Sequence, residues 1–317
     1  MKKGIRTVLL IGGSVLLLAG GGLFVAGCNS SKLEQVVRTF DLTDKNVQNL
    51  NFDLSTSDLE FIPTTDGTRK VMLYENEKIY HEEKVEENTL YVVSKGNEKW
   101  YEQIKPDLTK KKVEVYLPSG ELGTLKVSNA TGDIKIPREF SFESSEISLS
   151  TGKVVYNASV KNAVSIRSST GDVSLSDVHA KSMKIKRSTG KAVLNNVSVD
   201  EVLELEGSTG KVETQKLRGK TLLVSGSTGD VELNEVLMTE DIKIKVSTGE
   251  VEFSDMDASG IIDIETSTGD IKGSLLSGKT FDVRSDTGKI DIPEQTIGGQ
   301  LCKVRTDTGN IKISVKA

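Results

Sequence analysis

Little in this chain suits it to active-site chemistry. Its 317 residues include two Cys, two His, five Pro and one Trp, and aromatic residues make up only 5%. Two Cys exclude a disulfide-dense scaffold and a four-Cys zinc site. Two His leave few ligands for a metal and few bases for catalysis. Gly is frequent, at 29, but without Pro it makes neither collagen nor a Pro-rich linker. Basic excess is missing too: the formal net charge is −5, whereas a nucleic-acid binder shows a basic patch or stripe. Apolar residues, at 36%, fall below the usual globular share. The length allows one large domain or two ordinary ones.

The first feature present is an export signal. Met1 to Arg6 is short and basic, and Thr7 to Ala26 carries no charge. As a helix such a stretch spans about 30 Å of hydrocarbon, and it exceeds the usual signal core of about 7–15 residues. Gly12, Gly13, Gly20, Gly21 and Gly22 weaken it as a permanent helix. Val25-Ala26-Gly27-Cys28 resembles the bacterial lipobox, in which small residues precede a lipidated Cys. The expectation is a signal peptide or membrane anchor over 1–27, lipid attachment at Cys28, and a location on the extracytoplasmic face of a bacterial membrane. A retained single span is the alternative. Removal of Lys2, Lys3 and Arg6 would take the formal net charge from −5 to −8, which suits an exported domain.

The second feature is a repeat. Thr-Gly recurs with glycines at 132, 152, 171, 190, 210, 229, 249, 269, 288 and 309. Two residues after each glycine the column is apolar (Ile134, Val154, Val173 and on to Ile311), and so are those five and seven before it, such as Ile185 and Met183. A further apolar column lies seven after: Val178, Val197, Leu217, Val236, Met256 and Leu276. Alternation with period two means strands with one buried face. Each repeat therefore holds two short strands joined across the Thr-Gly turn, where Gly supplies positive φ. One unit of this size cannot bury its apolar face alone, but neighbours stacked about 4.8 Å apart bury a continuous core. The predicted fold is all-β: a single-stacked β-solenoid, parallel β-helix-like, of about ten coils and on the order of 50 Å long. A sandwich or barrel of hairpins is the competing architecture.

Outward charges fit stacking. Lys184 and Lys186 are followed one repeat later by Glu204 and Glu206, Lys243 and Lys245 by Asp263 and Glu265, and Asp282 with Arg284 by Lys303 with Arg305. Opposite charges one rung apart contribute roughly 0.2–1 kcal/mol each.

Four segments follow: 1–27 as the signal or anchor, 28–48 as a tether, 49–120 as an N-terminal β cap, and 121–317 as the repeat domain. In the cap, Leu50, Phe52, Leu59 and Phe61 flank Ser55-Thr56-Ser57-Asp58 in degenerate repeat grammar, with Ser57 in the glycine place. The stretch 70–118 reads as longer antiparallel strands that cover an exposed solenoid edge.

The Ser-Thr-Gly-Asp-Val units, Leu117-Pro118 and the export segment together resemble a bacterial putative-adhesin family of unknown function. The resemblance covers roughly residues 50–317 and implies a β-solenoid envelope protein. It supplies no catalytic residues.

Candidate chemistry is sparse. Asp230, Glu250 and Asp270 would stack in the column after the glycine, and a divalent ion could relieve their repulsion. The Gly-Gly-x-Gly-x-Asp nonapeptide of calcium-binding β-rolls is absent, so solvated carboxylates are the simpler reading. His81 and His179 have no evident nucleophile and are expected at the surface. Tyr156, Phe253 and Cys302 fall in inward columns. No catalytic residue, cofactor or metal site is predicted. The expected function is non-enzymatic: an envelope lipoprotein displaying a β-solenoid for adhesion to, or binding of, a surface protein or polymer, with the membrane as its other partner and no role for nucleic acid. A membrane-anchored accessory protein of a cell-envelope stress pathway is the alternative, and a β-helix polysaccharide enzyme a distant third.

Overall fold

A computed structural model describes residues 35–76, 79–96, 111–294 and 299–316. The export segment and Cys28 lie outside the described residues, as does Trp100. Among the described residues there are 27 strands and no helix, and none of them forms a helix long and apolar enough to cross a membrane.

The strands are β1 (Val36–Asp41), β2 (Asn49–Thr56), β3 (Asp58–Thr64), β4 (Lys70–Glu75), β5 (Ile79–Glu86), β6 (Thr89–Gly96) and β7 (Lys112–Pro118). Pairs flanking a Thr-Gly corner then follow: β8 (Gly120–Thr131) with β9 (Ile134–Ile136), β10 (Phe140–Thr151) with β11 (Val154–Tyr156), and β12 (Ser159–Thr170) with β13 (Val173–Ser176). Next come β14 (His179–Thr189) with β15 (Ala192–Val199), β16 (Val202–Thr209) with β17 (Val212–Gly219), and β18 (Thr221–Thr228) with β19 (Val231–Met238). The last are β20 (Ile242–Thr248) with β21 (Val251–Ala258), β22 (Ile262–Thr268) with β23 (Ile271–Leu275), β24 (Thr280–Thr287) with β25 (Ile290–Asp291), and β26 (Leu301–Thr308) with β27 (Ile311–Val315).

Successive coils pair in parallel and in register, so the architecture is the β-solenoid that the repeat predicts. Ile185 sits beside Leu205, Leu205 beside Val224, Val224 beside Ile244 and Ile244 beside Ile264. All five are buried, as stacking of one apolar column requires. The Thr-Gly corners form one continuous file. At Gly190 φ is +127°, and a Cβ there would strike the carbonyl oxygen of Gly171 on the rung below. Glycine is thus demanded twice, by φ and by rung spacing.

A second corner has no glycine. Asp177, Asn196, Lys216, Glu235 and Asp255, each six after a glycine, hold φ between 52° and 57°. This left-handed step resets the alternation. Inward positions fall two and four residues after the glycine, then at seven: Ala192, Leu194 and Val197 are all buried. The coil after Gly269 lacks the step. There Leu275 pairs with Met256 and is buried, while Leu276, expected inward, is 41% exposed.

Stacking order departs from chain order at both ends. β26 lies between β22 and β24, and β27 between β23 and β25. The last coil is therefore inserted beneath the one before it. Lys303 follows Asp263 directly and precedes Asp282, a correction to the sequential order expected from the repeat. Sequential stacking would set Asp263 against Asp282, whereas the inserted rung places a cation between them. The N-terminal end does the same: β2 lies between β6 and β8, and β3 between β7 and β9.

The N-terminal end is covered by antiparallel strands. β4 pairs with β7, β1 with β4, and β5 with β6. Two expectations are corrected here. Val36–Asp41, placed in the tether, is a strand of the sheet, and Leu42 after it is fully buried. β6 and β7, read as antiparallel cap strands, are antiparallel on one edge only, and on the other each pairs in parallel with the first corner's strands, β2 and β3. An edge-to-face cluster of Phe52, Phe61, Phe140 and Phe142 fills this end, with ring centroids 5.8–6.3 Å apart. Buried Tyr156 satisfies its hydroxyl on Ser145 Oγ at 2.7 Å.

Candidate functional site

Three features carry side chains of chemical interest: the Thr-Gly corner, a cluster under the cap and a groove on the far side of the coil.

At the corner, the acidic column has a structural task. Asp133, Asp172, Asp230 and Asp270 each accept the backbone N–H of the residue one rung on, from Lys153, Lys191, Glu250 and Asn310, at 2.7–3.0 Å. Glu250 pairs instead with Lys272. The carboxylates singled out for calcium are thus engaged with the next rung or with lysine. Among the described residues no group of three metal-ligating side chains converges. Charge ladders run beside the corner: Lys184 reaches Glu204 at 2.8 Å, Lys186 reaches Glu206 at 2.9 Å, and Lys245 reaches Glu265 at 3.1 Å. All ten corner threonines are exposed.

Under the cap, Ser57 Oγ lies 3.3 Å from His81 Nε2, and His81 Nδ1 lies 3.4 Å from Glu75 Oε1. Glu75 also accepts the His81 backbone N–H at 2.7 Å, and the Arg38 guanidinium at 3.0 and 3.2 Å. Arg38 also pairs with Glu83. Burial opposes ionisation of Glu75, but His81 and Arg38 outweigh it and hold its carboxyl at about 2. His81 was expected at the surface, and this is corrected: it is 2% exposed, and Ser57 1%. The reason is the Ser in the glycine place. Ser57 lies directly beneath Gly132 in the corner file, and its side chain, which a glycine would lack, meets the ring of His81 from β5. His179 is half-exposed, bonded to Ser198 at 3.0 Å and near Asp200 at 3.5 Å.

Ser, His and Glu in sequence of contact resemble the parts of a nucleophilic triad. Here Ser57 and His81 are almost wholly buried, and the Glu75 side chain is 10% exposed.

The groove runs along the C-terminal ends of β17, β19 and β21 to the segment before β24. It encloses about 620 Å³ and includes Arg218, Leu237, Met238, Asp257, Ala258 and Lys279. Lys279 is 2% exposed and donates to Ala258 O at 2.8 Å and to Asp257 Oδ1 at 2.6 Å. Repeat analysis did not find this groove or the cap cluster. The only sequence signals were the lost glycine at Ser57 and the lost step after Gly269.

The Toastrack DUF4097 family model matches residues 47–206 and again 200–317, which is most of the chain. The chain belongs to the Toastrack DUF4097 family. The two consecutive matches fall on the stacked coils, and the first begins just before β2, so the cap's parallel strands belong to the Toastrack fold. No curated protein matches. Similar solved structures include a putative cell adhesion protein from Clostridium sporogenes, 11% identical over 89% of this chain and 100% of that one, with a TM-score of 0.21. A putative adhesin from Bacteroides fragilis is 14% identical over 89% and 97%, TM-score 0.29. A putative lipid binding protein from Parabacteroides distasonis is 13% identical over 85% and 96%, TM-score 0.27.

Proposed function

We propose that this Toastrack protein is a non-enzymatic binding module displayed on the outer side of a bacterial membrane, anchored through Cys28, whose faces hold a surface protein or polymer. The observation that carries this reading is a contrast in access. The corner threonines and charge ladders run exposed along the stack, while the Ser57–His81 pair is sealed beneath the cap. A rigid stacked scaffold with regularly spaced exposed side chains suits recognition of extended partners. The test has two arms. Cys28→Ala should move the protein from the membrane to the soluble fraction; unchanged membrane retention would reject lipid anchoring. Intact-envelope pull-down with the full chain should recover a protein or polysaccharide, and recovery of neither would reject the binding reading.

A further inference from the structure

Lysines ten residues after the glycine behave alike on two rungs and differently on a third. Lys181 and Lys220 have half-exposed side chains, paired with Glu201 and Glu240. Lys279 occupies the same column but its side chain is 3% exposed, turned down onto Asp257 and Ala258. The cause is the missing left-handed step after Gly269. Leu275 moves into the core one residue early, Leu276 turns outward, and the chain enters the corner with its register displaced. An ammonium has three N–H donors. Two are used, and the third belongs to a nearly buried cation on the floor of the groove.

Two rungs from Asp257, about 10 Å along the axis, Arg218 stands exposed in the groove with no carboxylate within ion-pair range among the described residues. Between the two cations lie Leu237 and buried Met238, and the rim carries Thr239, Ser259 and Gln300. With Asp257 counted, the lining carries net charge +1, in a chain of net −5. Volume also fits, since ligand clefts typically hold about 300–1,000 Å³. β17, β19 and β21 are each paired on both edges, so no peptide can dock here by adding a strand. Hydroxyl and amide groups that both donate and accept, with an apolar strip between, match a hydroxyl-rich ring with C–H faces.

We propose that the groove between Arg218 and Lys279 binds an acidic oligosaccharide, its carboxylates held by the two cations and its rings lying across Leu237 and Met238. The guanidinium suits bidentate contact with a carboxylate. This rests on the binding function proposed above and assigns it a site and a ligand class.

The test is calorimetric titration of the full chain with oligogalacturonate, beside its carboxyl-reduced neutral counterpart and oligoglutamate. The acidic sugar is expected to bind at least tenfold more tightly than either, and to weaken as salt rises. Arg218→Gln should weaken it about tenfold. Ser259→Trp, at an exposed rim position, should abolish it, with Thr239→Trp as a second plug should the first not fold. Equal binding of the neutral sugar, tighter binding of oligoglutamate, no binding of the acidic sugar or indifference to the plugs would each overturn the proposal. Envelope capture separates the two readings. If plugged protein still captures its envelope partner, the groove assignment falls and the binding function stands; if unmodified protein captures nothing, both fall.

Discussion

Asp263 of β22 lies beside Lys303 of β26, and Lys303 in turn lies beside Asp282 of β24. The file therefore runs Lys243, Asp263, Lys303, Asp282, alternating in sign, although the chain visits Asp282 before Lys303. Arg305 reinforces the inserted rung by donating to Asp282 Oδ2 at 3.1 Å. Shape agrees with charge: small Cys302 separates Ile262 from Phe281.

Engineered disulfides would read this order directly. Neighbouring strands are about 4.8 Å apart and next-neighbours about twice that, while a disulfide needs Cα atoms about 4.4–6.8 Å apart. The pair Asp263→Cys with Lys303→Cys should oxidise readily in a Cys302→Ser background. The pair Asp263→Cys with Asp282→Cys should not. Non-reducing gel mobility distinguishes the two, and the reverse pattern would mean sequential stacking.

Most of this solenoid is legible because each rung writes its own register. Ile185, Leu205, Val224 and Ile244 keep a fixed distance from the glycine, and the structure stacks them accordingly. Topology at the ends is less legible. Nothing local to β26 says whether it stacks above or below β24, since both carry the same repeat, and neighbouring charges divide: Asp263, Lys303 and Asp282 alternate in sign, but Arg284 lies beside Arg305. His81 was unreadable for another reason. Its neighbours Ser57, Glu75 and Arg38 come from the β2–β3 corner, β4 and β1, and antiparallel pairing that no repeat encodes brings β1, β4 and β5 to that corner. The groove arises from an absence, a single left-handed residue missing after Gly269, and periodicity records such a loss only as an irregular column.

The corner glycines divide sharply from ordinary turn glycines. At Gly190 an added Cβ meets both an unfavourable φ and the Gly171 carbonyl, and that neighbour is backbone held in a ladder. At Gly67, where φ is +79°, an added Cβ meets nothing within 4 Å. Gly190→Ala should therefore destabilise by about 2–4 kcal/mol, and Gly67→Ala by only about 1 kcal/mol. Urea denaturation of both variants measures the difference, and equal losses would contradict the stacking role of the corner.

Lys216 holds φ at 57°, and its side chain is exposed. The same position one coil earlier is Asn196, a residue that tolerates this region. Lys216→Asn is expected to raise stability by a few tenths of a kcal/mol, whereas Lys216→Val should lower it by about 1–2 kcal/mol, since a β-branched residue is a poor fit to left-handed backbone. Thermal melts of the two variants should move in opposite directions.

Cys302 is fully buried, and burial pushes its thiol up to about 12. Thiolate is the reactive form, so Cys302 should resist alkylation at pH 8 in the folded chain and react promptly in denaturant. The experiment uses Cys28→Ala protein, leaving one thiol to follow by mass. Rapid labelling of the native chain would show that the inserted rung opens readily.

The cap carries its own pH dependence. Glu75 has its carboxyl held at about 2, below the ordinary 4.5, because His81 and Arg38 outweigh the opposing effect of burial. A carboxylate lowered in the folded state contributes stability above its unfolded value, and that contribution fades as pH falls towards the folded value. The cap should therefore loosen progressively between about pH 4.5 and pH 2, while the coils beyond β10, which do not touch Glu75, hold longer. Hydrogen exchange of β4 and β5 against β18 and β20 reads the two regions separately. Glu75→Gln should weaken the cap at neutral pH and flatten its response to acid across this window. An unchanged acid response in that variant would assign the titration to another group.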